Sequence, residues 1–196
     1  MPDIDTNVII ATEDGEVEAG YDDGQDWRYL SGGKVDAAVT HCDAFSRPTT
    51  MIALDPGTTH TAFVQFDHGL IIDHGHLPNA EIRQILIGRE YSSVACEMIA
   101  SYGMAVGAST FETCVWIGRF IEVARTEVRL CYRKDIKMYL CGSMRAKDAN
   151  IRQRLIDIFG PQGTKKQPGK TFGIKSHTWA ALAVAVYAAE TNMKYK

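Results

Sequence analysis

Three residues with metal-binding side chains stand where the predicted secondary structure changes, at Asp55, Glu97 and His177. Asp55 ends an apolar run that breaks off in Pro-Gly, which is typical of a buried strand followed by a tight turn. Glu97 lies near the end of a second predicted strand, Ser92–Met98, and His177 stands at the start of an alanine-rich helix. Two carboxylates and an imidazole at one edge of a sheet would suit Mg²⁺ or Mn²⁺ and the hydrolysis of a phosphodiester.

Each of these residues also has an ordinary structural interpretation. Asp-Pro-Gly is a common turn in which the Asp side chain caps the backbone. Glu97 could pair with Arg89 or Arg133, and His177 could be a plain residue of a helix start. The chemical interpretation requires all three side chains to share one rim, so it depends on the elements that carry them.

Periodicity from residue 51 onward predicts one α/β domain. Three hairpin-linked strands are followed by helix, strand, helix, strand and then three helices, and this order predicts a five-stranded mixed sheet with helices on both faces, as in the ribonuclease H-like fold. In that fold the first and fourth strands are neighbours, which would bring Asp55 beside Glu97, and the last helix would bring His177 to the same rim. The predicted elements are strands Met51–Asp55, Thr61–Asp67, Leu70–His76, Ser92–Met98 and Glu127–Tyr132, and helices Ala80–Ile87, Thr110–Arg125, Ile136–Leu140, Asp148–Phe159 and Ser176–Met193.

The charge distribution divides the chain into two parts. Residues 1–48 carry 11 acidic and 3 basic side chains, whereas residues 49–196 carry 13 acidic and 18 basic ones. We therefore expect a poorly ordered acidic extension over 1–48 and a basic domain over 49–196 that suits a polyanionic partner. No apolar run reaches the roughly 18 residues of a membrane span, the start of the chain lacks a signal peptide's features, and the five scattered cysteines fit a reducing cytoplasm.

Four segments together resemble the RuvC family of Holliday junction resolvases, most of all its bacteriophage-encoded members. They are ALDPGTTHTAFV, VACEMIASYGM, CGSMRAKDANIRQRLIDIFG and KSHTWAALAVA, which span about Met51 to Ala189. The resemblance implies a homodimer that uses two Mg²⁺ ions per site (Mn²⁺ as a substitute), without a nucleotide cofactor, to make paired nicks across a four-way DNA junction. It places this activity in recombination or genome debranching in a bacterial or phage-infected cytoplasm. It also matches Asp55, Glu97 and His177 to the family's metal ligands.

One position departs from the family pattern. The family usually has an Asp one helical turn after the His, where this chain has Ala180. The loss of that oxygen leaves three interpretations open: a three-ligand subfamily, a natural loss of activity, or a deliberate inactivating substitution. Asp148 is a conceivable replacement ligand, but we expect it to be the N-cap of the helix that it begins.

Further contacts to DNA are predicted from aromatic and basic residues. Tyr102 lies in the loop after Glu97, where the resemblance implies an aromatic that stacks at the junction centre, although an ordinary loop tyrosine is an alternative. Basic side chains cluster around the last two helices, as phosphate binding requires, and a plain solvated surface is again the alternative. The basic candidates are Arg145, Lys147, Lys165, Lys166, Lys170 and Lys175.

Three rival functions remain open at this point. Sugar kinases and actin-like ATPases share the D-x-G-T-T pattern of Asp55–Thr59, but they need two such domains to enclose ATP, and this chain has room for one. The second is a resolvase-like protein that binds branched DNA without cutting it, which Ala180 leaves open beside an active three-ligand nuclease. Another ribonuclease H-like nuclease is the third, against which the KSHTWAALA segment argues.

Overall fold

The computed structural model describes residues 8–11, 17–22, 27–29, 49–101, 103 and 105–192. The chain divides into two compact units, Met1–Phe45 and Ser46–Lys196. In the first unit the strands β1 (Val8–Ala11), β2 (Val17–Asp22) and β3 (Trp27–Tyr29) form an antiparallel sheet in that order. Poor order was predicted for the whole of 1–48. Apart from these three strands, that segment lies outside the described ranges.

The second unit is built on a five-stranded mixed sheet, and this confirms the predicted fold class. The strand order is β6-β5-β4-β7-β8: β5 pairs with both β4 and β6 antiparallel, and β7 pairs with both β4 and β8 parallel. The first strand of the domain and the fourth are therefore neighbours, as predicted. The strands are β4 (Met51–Pro56), β5 (His60–Asp67), β6 (Leu70–Pro78), β7 (Val94–Met98) and β8 (Val128–Tyr132).

In the described part of this unit, five helices cover the two faces of the sheet. Apolar side chains on one face pack against α1 and α2, and those on the other face pack against α3, α4 and α5. The helices are α1 (Asn79–Gly88), α2 (Ala108–Val123), α3 (Arg133–Cys141), α4 (Asp148–Phe159) and α5 (Thr178–Asn192). Among the described residues, no helix is both long enough and apolar enough to cross a bilayer.

Alternation along β4 decides which side chains face which helices. Ile52 and Leu54 are buried towards α1 and α2, whereas Met51 and Ala53 are buried towards α5. Successive side chains of a strand point to opposite faces, so Asp55 falls on the α5 side. Small residues in α5, of which the alanines at 181, 183 and 185 are fully buried, allow this helix to lie close against the sheet.

Candidate metal and nucleic-acid site

The two predicted carboxylates lie side by side on the α5 face of the sheet. Leu54 of β4 is in register with Cys96 of the parallel strand β7, and Asp55 and Glu97 each follow one residue later. Ala95 packs on the α5 side, and Glu97, two residues on, continues that face. The side chains of Asp55 and Glu97 keep 18% and 14% of their surface exposed. The two carboxylates are thus neighbours on the sheet, as predicted, and both are largely buried.

His177 completes the predicted trio at the start of α5. Its Nδ1 lies 3.5 Å from Oδ2 of Asp55, and its carbonyl accepts bonds from the N–H groups of Ala180 and Ala181. That pattern places His177 immediately before the first helical residue of α5, Thr178. Its side chain is 68% exposed, so the ring remains open to a ligand.

Arg133, the first residue of α3, bridges the acidic groups. Its guanidinium donates to Glu97 Oε2 at 3.2 Å and to Asp148 Oδ1 at 2.7 Å. The pairing of Glu97 with Arg133, considered above as an alternative role, is therefore present. Arg89 instead donates to Gln65 Oε1 at 3.0 Å.

Asp148 does not cap α4, so that prediction was wrong. The N-cap position belongs to Lys147, whose backbone N–H donates to the Asn150 side-chain oxygen at 2.9 Å. The Asp148 carboxylate is instead held by Arg133, whose hydrogen bond lowers its pKa. It thus adds a third acidic group to the site.

These groups surround one cavity of about 440 Å³. Ala180 lies in its wall, so the position where the family pattern has an Asp does face this cavity. The lining residues are Asp55, Glu97, Arg133, Asp148, Ile151, Ser176, His177, Trp179 and Ala180.

Burial controls the protonation of the carboxylate pair. Desolvation raises the pKa of Asp55 to about 6, against the attraction of Arg133 and together with repulsion from Asp148. Desolvation likewise raises the pKa of Glu97 to about 7, with Asp55 adding repulsion and Arg133 opposing both. The single guanidinium therefore does not compensate the buried pair, and further positive charge would be stabilised there.

The donor chemistry of the pair fits a hard divalent cation. Asp55 and Glu97 offer oxygen ligands, with Asp148 and His177 in the same cavity. Within the described residues, no three His, Cys, Asp or Glu side chains are already arranged as a metal site. Since Arg133 occupies one oxygen each of Glu97 and Asp148, a cation bound to either carboxylate would share it with the guanidinium.

A row of histidines that was not predicted from the sequence extends from the site. The His76 ring stacks on that of His177 with centroids 5.7 Å apart, and His60 lies 5.4 Å from His76. Burial and the two neighbouring imidazoles lower the pKa of His76. His60 stands two residues before Ala62, and His76 lies opposite Ala62 in the β5–β6 pair, so both could have been placed on one face once the strand register was known.

The residues predicted to contact DNA are distributed more widely than the acidic groups. Tyr102 lies outside the described residues. Of the basic candidates, Lys175 lines a second cavity beside the acidic one, and none lines the acidic cavity itself. All six are exposed, namely Arg145, Lys147, Lys165, Lys166, Lys170 and Lys175.

Comparisons with known proteins give the fold of the domain. No protein-family model and no curated protein matches the sequence. Among solved structures, the chain is similar to RuvC of Thermus thermophilus (TM-score 0.53) and to the same protein in complex with a Holliday junction substrate (TM-score 0.57). Identity is 16% in both cases, over 73% and 74% of this chain and 96% of each RuvC chain. The chain therefore shares the ribonuclease H-like fold of these RuvC structures.

Proposed function

We propose that this chain is a structure-selective endonuclease that resolves four-way DNA junctions by metal-dependent hydrolysis. The observation that carries the proposal is the pair Asp55 and Glu97, side by side on adjacent parallel strands, with His177 3.5 Å from Asp55. The fold shared with RuvC, one structure of which holds a Holliday junction, supports the choice of substrate. Recombination or debranching of phage genomes, in the cytoplasm of a bacterium or an infected host, is the setting that we propose.

The roles of the residues follow from their positions. Asp55 and Glu97 would hold Mg²⁺ or Mn²⁺, with His177 as the ligand at the open rim, and two ions per site are expected. A cation held there would activate water for attack and would stabilise charge on the phosphate. Arg133 orients the Glu97 carboxylate through its bond at 3.2 Å. Because Asp55 and Glu97 are fixed by strands, they present their oxygens in a nearly rigid arrangement.

Basic side chains around the site would bind the DNA backbone. Five of the six candidates, Arg145, Lys147, Lys165, Lys166 and Lys170, lie outside both cavities, where they could follow the arms of a junction. Each phosphate that a protein neutralises releases counterions, so junction affinity should fall steeply with salt. Tyr102 keeps its proposed role of stacking on bases at the junction centre.

A homodimer would provide the two active sites that paired nicks require. Helix α2 buries Thr113, Ile117 and Phe120 against the domain core and leaves Phe111 62% and Val115 54% exposed. An exposed apolar strip of this kind on a helix marks an interaction surface. We propose α2 as the contact between the two copies.

A junction-binding protein that does not cut is the second candidate. Ala180 contributes no oxygen to the cavity that it lines, and Arg133 already provides positive charge at Glu97 and Asp148. These two features favour a site that keeps its shape without a metal. The fold and the basic surface would be the same in both cases.

Cleavage of a labelled synthetic four-way junction tests both candidates. The chain as it stands, Ala180→Asp and Asp55→Asn are compared with Mg²⁺ or Mn²⁺, with linear duplex and added chelator as controls. Cutting by the unaltered chain that is lost in Asp55→Asn would support the nuclease. Binding without cutting, with activity gained in Ala180→Asp, would support the second candidate, and no binding of junctions by any form would refute both.

A further inference from the structure

A second cavity adjoins the acidic one and has no part in the proposed hydrolysis. It has a volume of about 550 Å³ and shares Ser176 and Trp179 with the acidic cavity. The start of α5 thus forms a common wall between the two. Its lining residues are Arg152, Gln162, Gly163, Phe172, Gly173, Ile174, Lys175, Ser176 and Trp179.

The loop of residues 160–173, which supplies four of the nine lining residues, is held by its own hydrogen bonds. The N–H groups of Thr164 and Gln167 each donate to the other residue's carbonyl, at 3.0 and 3.1 Å. The N–H of Gly169 donates to the Gln162 carbonyl at 2.8 Å, and a Cβ at position 169 would come within 2.0 Å of the Pro161 carbonyl oxygen. The loop therefore presents its side chains from a fixed backbone.

Phe172 is an exposed aromatic on this fixed loop. Its N–H donates to the Gly169 carbonyl at 3.0 Å, and its own carbonyl lies 3.2 Å from Nε2 of His74 on β6. The backbone is thus tied both to the loop and to the sheet, while 42% of the residue remains open to solvent. An open aromatic face that lines a cavity is suited to stacking with a flat ligand.

The same cavity also contains a polar group held in place, the guanidinium of Arg152. Arg152 lies over the Trp179 ring at 5.2 Å, and its Nη2 is 3.4 Å from Oε1 of Gln162. Gln162 is itself fixed, because its amide nitrogen donates to the carbonyls of Thr171 and Ile174 at 3.2 and 2.7 Å. Arg152 therefore keeps further N–H donors for a ligand at a defined place.

We infer that this cavity binds an unstacked nucleobase of the substrate, next to the phosphate that is cut. The inference rests on the proposed function, which places that phosphate in the adjoining acidic cavity. Phe172 would stack on the base, Arg152 would donate to a carbonyl on its edge, and Lys175 would contact the neighbouring phosphate. A base that carries a carbonyl oxygen, guanine, thymine or cytosine, is therefore preferred to adenine, which has none. A simple anion would not use the apolar part of the wall, Phe172 and Ile174.

Dissociation constants of four-way junctions with abasic sites, measured for the unaltered chain and for Phe172 variants, test whether this cavity binds a base. Four-way junctions carry single abasic sites at successive positions near the crossover, and dissociation constants are measured without divalent cations, so that nothing is cut. At one position the abasic site should weaken binding about 5- to 150-fold, the range for loss of one base–aromatic stack. Phe172→Ala should weaken binding of the intact junction by a similar factor and show no further loss with that abasic site. Phe172→Trp should bind as the unaltered chain does.

Leu70→Ala is the matched control. Leu70 is 54% exposed, and the β5–β6 register places it opposite Asp67, at the other end of the sheet from Asp55. The Leu70→Ala variant should bind all junctions as the unaltered chain does. Circular dichroism should show that Phe172→Ala is folded. Unchanged binding by Phe172→Ala, or independent losses from Phe172→Ala and the abasic site, would overturn the inference alone. If the unaltered chain does not prefer junctions to linear duplex, the proposed function fails and the inference fails with it.

Discussion

Replacement of Asp55 by Asn should make this domain more stable at pH 8 and leave it almost unchanged at pH 4. Asp55 is a largely buried carboxyl whose pKa is raised from 3.8 to about 6. The folded chain therefore favours the protonated acid. The stability that this preference supplies is complete below the unfolded pKa near 4 and is lost as the pH rises through the folded pKa of about 6.

The expected size follows from that difference in pKa. A displacement from 3.8 to about 6 corresponds to roughly 3 kcal/mol of unfolding free energy, an upper limit for one group. Asn is neutral at every pH and has nearly the shape of the protonated acid. Asp55→Asn should therefore gain up to about 3 kcal/mol at pH 8, and relief of the repulsion that raises the pKa of Glu97 acts in the same direction.

Urea unfolding at pH 4, 6 and 8, followed by tryptophan fluorescence, measures this. Asp157→Asn is the control, because Asp157 is an exposed acid on α4 and its change should have little effect at any pH. Added Mg²⁺ should raise the unfolding midpoint of the unaltered chain at pH 8 more than that of Asp55→Asn, since a cation binds the folded carboxylates. An Asn variant that is equally stable or less stable at pH 8 would refute the view that the pair lacks compensating charge.

Two further predictions concern the neighbours of the site and the dimer. Arg133→Met should lower stability at pH 8 by about 1–3 kcal/mol, because Glu97 loses its cation, and urea unfolding should show a much smaller loss in a Glu97→Gln background; an equal loss in both backgrounds would contradict the coupling. Phe111→Glu should shift sedimentation from dimer to monomer while Leu70→Glu, at a similarly exposed position, does not; a dimeric Phe111→Glu would exclude α2 as the interface.

The fold could be predicted because local patterns repeat over whole elements. The apolar run that ends at Asp55 in Pro-Gly indicated a buried strand, and the order of the predicted elements then selected one sheet topology. The ends of the helices were predicted less accurately than their order. The last helix was expected from Ser176 but begins at Thr178, because Ser176 takes a positive φ of 42°, which helical residues do not adopt.

The site could be predicted only in part, because side-chain pairing joins distant elements. Asp55 and Glu97 were found because strand ends show in the sequence, and topology alone makes them neighbours. Arg133 and Asp148 are 15 residues apart in the sequence and begin two different helices. No local pattern distinguishes an Asp that pairs with a distant Arg from an Asp that caps its own helix. The role expected for Asp148 failed by one position, since Asp148 is the first residue of α4 and the N-cap is Lys147.

The charge balance of the acidic cavity bears on the meaning of Ala180. Three carboxyls, from Asp55, Glu97 and Asp148, line that cavity with one permanent cation, Arg133. An Asp at position 180 would add a fourth acid where two buried carboxyls already have raised pKa values. Without metal it would increase repulsion, and with metal it would add a ligand. Ala180 thus favours a stable site in the metal-free protein at the expense of metal affinity, and Ala180→Asp should reverse that balance.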